Sequence, residues 1–227
     1  MSADLPGREL SELAASLGPF VLRPRCFLVA WSGMLALAYD GWPAAVEDFK
    51  VKLSEQLPLK PENPGSVWPK TSLAALKSDK RLTPDDLETL CRLCAKATEQ
   101  LQASRWEMSV WTLHSTTFLC RSHERLLCAT PLPLQGPECG PPRETSQEYT
   151  DRVVADCAAE GYWLHASRDG SREPHYRDGV LGSSLVAFLG GGSPGLAAFQ
   201  REVDEALPGY YAWFADQSLH CTVRGLN

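Results

Sequence analysis

Trp68-Pro69-Lys70-Thr71-Ser72-Leu73-Ala74 and, 150 positions on, Ser218-Leu219-His220-Cys221-Thr222-Val223-Arg224 are the stretches on which the fold turns. Each centres on polar and apolar residues in alternation, the pattern of a strand with one buried face. At the same offset, residues 31–76 align with 181–226 without a gap. Leu35 meets Leu185, Gly41 meets Gly191, Phe49 meets Phe199, Glu55 meets Glu205, and Leu57-Pro58 meets Leu207-Pro208. Each copy has a helix with equally spaced inward residues: Val46, Phe49, Leu53 and Leu57 in one, Leu196, Phe199, Val203 and Leu207 in the other. Each helix stops at its proline, and twelve steps later comes Lys70 or His220. Amphipathic helices resemble one another by chance more easily than loop lengths do, so the spacing reads as one strand-helix-strand unit carried twice.

Outward from these units the chain has the pattern of an α+β protein: two pseudo-symmetric lobes of antiparallel sheet with outer helices around a central cleft. Residues 1–25 form an N-terminal extension, with Leu10, Leu13, Ala14 and Leu17 on one helical face, and residues 26–227 form a single two-lobed domain. Cys26 to Tyr39 reads as buried strand broken near Gly33. A loop of Pro, Asn and Gly follows the first repeated helix. Thr83-Pro84-Asp85-Asp86 supplies an N-cap, a first-turn proline and a capping-box acid for a helix to about Leu101. A strand from Trp106 to Leu119 pairs with Arg125 to Thr130, and residues 131–145, with five prolines and two glycines, make a surface loop between the halves. A helix over Gln147–Ala159 and a strand over Tyr162–Ser167 complete the expectation. Side chains two apart on a strand share a face, which groups His220, Thr222 and Arg224, and likewise Lys70, Ser72 and Ala74. With a pseudo-twofold axis these polar faces would oppose each other across the cleft.

A formal charge of −6 gives no positive field to hold duplex nucleic acid or an anionic membrane, though a local phosphate pocket remains compatible with it. The start, Met1 to Pro6, lacks basic and apolar leader regions, and the apolar run from Cys26 to Ala38 is too short to span a bilayer. The expected location is the cytoplasm. Eight cysteines in apparent helices and strands suit reduced thiols. Cys91-x-x-Cys94 has no second such pair and no nearby histidine, so both sulfurs are expected on a core-facing stripe with Leu87, Leu90 and Leu101.

His220-Cys221-Thr222-Val223, approached through Phe214-Ala215-Asp216-Gln217-Ser218-Leu219, resembles the 2H phosphoesterase superfamily, which includes the bacterial RNA ligase/2',3'-cyclic phosphodiesterase-like proteins. That family is a duplicated α+β fold with a His-x-Thr/Ser-hydrophobic motif in each lobe. The resemblance implies that the two motif positions flank a phosphodiester as general base and general acid, with hydroxyls on the nonbridging oxygens, without metal or cofactor. His220 and Thr222 fit that pattern, as do Ser72 and Leu73; Lys70 stands where the second histidine belongs. Histidine is populated in both forms near neutrality, whereas lysine in water is a point charge, so Lys70 is expected to hold phosphate unless burial lowers its pKa.

Catalytic roles therefore fall to His220 and Lys70, and substrate binding to Thr222, Ser72, Arg224 and His114. The expected ligand is a small phosphodiester, such as a 2',3'-cyclic phosphate at a nucleotide or RNA end; the alternative is a noncatalytic phosphate-binding or protein-interaction module on the same fold. Ordinary structure also explains each feature: a hydrogen-bonded His220, solvated Lys70 and Arg224, a strand histidine in His114-Ser115-Thr116. The segment Tyr210-Tyr211-Ala212-Trp213-Phe214 suits core packing better than base stacking. Trp163 and His165 fit a half-buried strand, and His123 and His175 have loop-like surroundings without ligand spacing.

Overall fold

The computed structural model describes residues 7–62, 67–190 and 193–226. The remaining residues lie outside this description, and with them the reading of the chain start, the middle of the loop after the first repeated helix, and the Gly41/Gly191 correspondence. The fold is α+β with antiparallel sheets. In chain order the elements are α1 (Gly7–Ser16), β1 (Phe20–Leu22), β2 (Pro24–Val29), β3 (Leu35–Tyr39), α2 (Ala44–Gln56), β4 (Lys70–Leu76), α3 (Pro84–Ser104), β5 (Met108–Val110), β6 (Thr112–Phe118) and β7 (Leu126–Pro133). They continue with α4 (Glu144–Cys157), α5 (Trp163–Ser167), α6 (Glu173–Arg177), β8 (Gly182–Phe188), α7 (Leu196–Ala206), β9 (Tyr211–Trp213) and β10 (His220–Gly225). The main sheet has the order β2-β3-β4-β10-β8-β6-β7, with β9 against the end of β4, while β1 and β5 form a separate pair.

The two motifs lie on the central strands, where Cys221 is paired directly with Thr71. Residues 150 apart hold equivalent places in the sheet. Lys70 opposes Ala38, Thr71 opposes Leu37, Ser72 opposes Ala36 and Ala74 opposes Leu35. Correspondingly, His220 opposes Phe188, Cys221 opposes Ala187, Thr222 opposes Val186 and Arg224 opposes Leu185. Both ladders also shift register at the same point, beside Leu73 and beside Val223. One consequence corrects the expected confrontation across a cleft: the polar residues of the two motifs lie side by side on one continuous sheet.

The opposite face is the main core. Leu37, Tyr39, Leu73, Leu185, Cys221 and Val223 bury there against Val46, Phe49 and Leu53 of α2 and Phe199 and Val203 of α7. On the motif face, a smaller cluster of Leu28, Met34, Ala36, Ala38 and Trp68 packs against Tyr149 and Val153 of α4 and Tyr176 of α6. These helices cover the β2–β4 end of the face; the β6–β7 turn folds onto the β8–β10 end.

Local chemistry explains most elements. The capping box at α3 forms, with Asp86 N–H donating to Thr83 Oγ1 at 3.2 Å and Thr83 N–H donating to Asp86 Oδ2 at 2.9 Å. α3 also shields the β2 sheet edge: Phe27 N–H donates to Thr98 Oγ1 at 3.0 Å and Gln102 Nε2 donates to the Arg25 carbonyl at 3.3 Å. The other edge, β7, carries Pro131 and Pro133, which lack donors, and buries only Leu132.

Several boundaries differ from expectation. The run Trp106–Leu119 holds two strands, because β5 leaves the main sheet to pair with β1. Residues 20–25 are part of the packed body: Phe20 and Leu22 are buried and β2 begins at Pro24. The Pro-rich segment starts inside β7, and its remainder is a fitted bridge, with Gly136 N–H donating to the Leu17 carbonyl and Cys139 N–H to the Pro19 carbonyl. The expected strand Tyr162–Ser167 is instead the short helix α5, capped by Tyr162 and with Leu164 exposed; Gly161 at φ 78° reverses the chain, and Tyr162 anchors by donating to the Val29 carbonyl at 3.0 Å. No helix among the described residues is long and apolar enough to cross a membrane.

Candidate functional site

The pairing of Cys221 with Thr71 places His220 opposite Ser72 and Thr222 opposite Lys70, all four on the face away from the main core. Across such a pair, diagonal neighbours are about 7–8 Å apart, and His220 and Lys70 are diagonal neighbours. His220 and Lys70 are both partly exposed, as are Ser72 and Thr222.

His220 is oriented from behind its own strand. Its Nδ1 lies 2.7 Å from the Ser218 carbonyl, which can only accept, so Nδ1 carries the proton and Nε2 keeps its lone pair. Burial pushes its pKa down to about 4, so the ring is neutral near pH 7. The turn that supplies the Ser218 carbonyl is held by charge. Glu124 Oε1 accepts from Ala215 N–H at 3.2 Å, and the Glu124 carboxylate takes both Arg177 Nε at 2.9 Å and Arg177 Nη2 at 3.0 Å. Arg177 Nη2 also donates to the Trp213 carbonyl at 2.7 Å.

Lys70 Nζ sits 4.5 Å from the centre of the Trp68 ring. Burial brings its pKa down to about 8, with Lys50 pushing the same way and Glu62 opposing. An ammonium with that pKa remains mostly charged at neutrality and gives up its proton more readily than an ordinary lysine. Tyr176 of α6 lies beside Ser72 and donates to Met34 Sδ at 2.8 Å.

Arg224 is not on this face. The register shift between Thr222 and Arg224 breaks the strand alternation and turns it toward α2 and the loop that follows, where Nη2 donates to the Lys60 carbonyl at 2.6 Å and the residue is 4% exposed. His114 is on the motif face, in the row running through Val186 to Thr222, but two strands from β10, about 10 Å across the sheet. It packs edge-on against Phe188, and its Nδ1 is buried without a hydrogen-bond partner. His114 therefore borders the four central residues and does not join His220 and Lys70.

Sequence reasoning passed over His123. It stands in the β6–β7 turn with φ 59°, 4% exposed, and its ring stacks on His220 with centroids 3.8 Å apart and planes 10° from parallel. No local signal marks it, because a single histidine in a turn has neither periodicity nor ligand spacing. Tyr176 was missed for the same reason.

The remaining candidates are structural. Tyr211 and Phe214 are buried, and Trp213 Nε1 donates to Asp204 Oδ1 at 2.9 Å. His165 stacks on Trp31, and His175 packs edge-on to Tyr176. Cys94 is buried as expected, but Cys91 is exposed, since three residues of helix turn it past the buried stripe. Comparisons with protein-family models, with curated proteins and with solved structures find no match to this chain.

Proposed function

We propose that the chain binds and hydrolyses a small phosphodiester, of which a 2',3'-cyclic phosphate at a nucleotide or RNA end is the best fit, on a 2H-phosphoesterase-like fold of two related lobes. The observation that carries this reading is the pairing of Cys221 with Thr71, which sets His220 and Thr222 beside Lys70 and Ser72 in a two-by-two array. The equal register of residues 150 apart, including both shifts, supports the duplicated unit.

In this array the neutral His220 offers Nε2 as general base to an attacking water, and the Lys70 ammonium stands diagonally opposite to balance charge and protonate the leaving oxygen. Thr222 and Ser72 offer hydroxyls to the nonbridging oxygens. The two pKa values, about 4 and about 8, put both groups in their working forms at neutrality. Lysine at the second position also favours a specific alternative, a site that recognises phosphate without turning it over.

Turnover of 2',3'-cyclic nucleotides and cyclic-phosphate-ended oligonucleotides, by wild type and by His220→Ala, separates these readings. Hydrolysis lost with His220→Ala supports the enzyme; equal turnover removes His220 from the mechanism. Saturable binding without turnover supports the recognition module. Lys70→His restores the family pairing, and activity that neither appears nor rises counts against the correspondence of the two motifs.

A further inference from the structure

We propose that His123 is the positioning residue of this site, its ring holding the plane of His220 so that the Ser218 carbonyl stays on Nδ1. The inference rests on the reading of His220 as the proton carrier.

Three independent observations converge on it. First, the backbone of His123 is left-handed, at φ 59°, a conformation uncommon outside glycine that histidine and asparagine adopt more readily than most residues, and here it is pinned. The turn is fixed on both sides: His123 N–H donates to the Cys120 carbonyl at 3.0 Å, Ser122 N–H donates to the Tyr176 carbonyl at 3.0 Å, and Ser122 Oγ donates to Glu124 Oε2 at 2.9 Å. Second, the ring is held in one tautomer. Thr116 Oγ1 donates to the Ser184 carbonyl at 3.0 Å and accepts from Ser184 Oγ, also at 3.0 Å, which leaves Ser184 Oγ to accept from His123 Nε2 at 3.3 Å. His123 Nδ1 then has a bare lone pair, buried without a partner. Third, this immobilised ring lies flat on His220, 3.8 Å away, while Phe118 lies 4.6 Å from the His123 centroid.

The same Glu124 that anchors this turn accepts from Ala215 N–H, so one carboxylate fixes both supports of His220: the stacked ring and the Ser218 carbonyl on Nδ1. The stack fixes the plane of the His220 ring, and the Ser218 carbonyl on Nδ1 selects its flip, which leaves Nε2 without a hydrogen-bond partner among the described residues. It also strips water from one face of the imidazole, which favours the neutral form. The other titratable or charged groups around His220 are Lys70 diagonally across on β4, His114 beyond Phe188, Tyr176 beside Ser72, and the paired Glu124 and Arg177 behind the turn.

The test is a pH titration of the histidine ring nitrogens by NMR, joined to kinetics on a 2',3'-cyclic nucleotide. In the wild type, His220 is expected as the Nδ1–H tautomer, untitrated above pH 5. His123→Asn tolerates the left-handed backbone but removes the ring; His220 should then titrate nearer 6.5 with mixed tautomers, and kcat should fall roughly tenfold with little change in KM. His123→Phe keeps an aromatic face and should restore the His220 tautomer and part of kcat. A wild-type His220 that titrates near 6.5, or one whose tautomer and pKa are the same in His123→Asn, overturns the proposal. If His220 responds as expected but the wild type turns over no phosphodiester, positioning stands and the enzymatic reading fails.

Discussion

Acidifying the protein from pH 7 to pH 5 should cost it about 4 kcal/mol through the stacked histidines alone. An unfolded imidazole titrates near 6.5, whereas burial holds His220 down to about 4 and His123 lower still. The folded state thus binds fewer protons than the unfolded state throughout the interval between these values. Their contribution to stability is complete above the unfolded pKa and is lost as pH falls toward the folded one. At pH 5 the loss is about 2 kcal/mol per ring, and it hardly depends on how far below about 4 each folded pKa lies, because both rings are still neutral. His114 and His175 are shifted the same way by burial and steepen the slope. A total of 4 kcal/mol is a large part of the roughly 5–15 kcal/mol that holds a domain of this kind together. Urea unfolding at the two pH values reads it directly, as a midpoint lower by about 2 M at an m-value of about 2 kcal/mol/M. His123→Phe keeps a ring but removes one titration, so its loss over the same interval should be smaller by about 2 kcal/mol. A midpoint unmoved by pH, or a His123→Phe variant with the wild-type pH dependence, would mean that the two rings are not held neutral by burial.

Three further outcomes follow from other parts of the structure. Glu124→Ala leaves Arg177 half-buried without its main partner and frees the Ala215 turn, so chemical denaturation should show a loss of about 2–3 kcal/mol; an unchanged midpoint would mean the clamp is ornamental. Gly18→Ala drives a Cβ into the Pro137 carbonyl oxygen, which the packed bridge can escape only by moving, and a thermal melt should register a loss of about 3 kcal/mol or more. Brief alkylation followed by mass spectrometry should label exposed Cys91 and Cys128 first, and reach Cys94, Cys120 and Cys221 only with denaturant; early labelling of Cys94 would contradict the packing of α3 on the sheet.

Much of this architecture was legible where one physical signal acts alone. Thr83 to Asp86 announced α3 because a capping box is local, and the equal spacing from Pro58 to Lys70 and from Pro208 to His220 announced equivalent strands. The reading failed where long-range pairing decides. Tyr162–Ser167 suits strand or helix at five or six residues, and the packing of Tyr162 on Val29 selects helix. Arg224 is two residues from Thr222, but the register shift at Val223 reverses its side, and a bulge has no mark in this stretch of sequence. His123 reaches His220 across 97 positions, through a turn whose shape comes from Glu124, Arg177 and Ser184. Four residues of the candidate site were visible as two motifs; the ring that stacks on one of them was not.

Calorimetric titration with a 2',3'-cyclic nucleotide tests whether Lys70, Ser72, His220 and Thr222 together form a phosphodiester site, whether or not turnover follows. The wild type should bind saturably; Lys70→Met, which keeps the side chain's length but not its charge, should weaken that binding by about tenfold or more, corresponding to about 1.4 kcal/mol. Absence of binding at millimolar ligand, or equal binding by both proteins, would contradict that assignment.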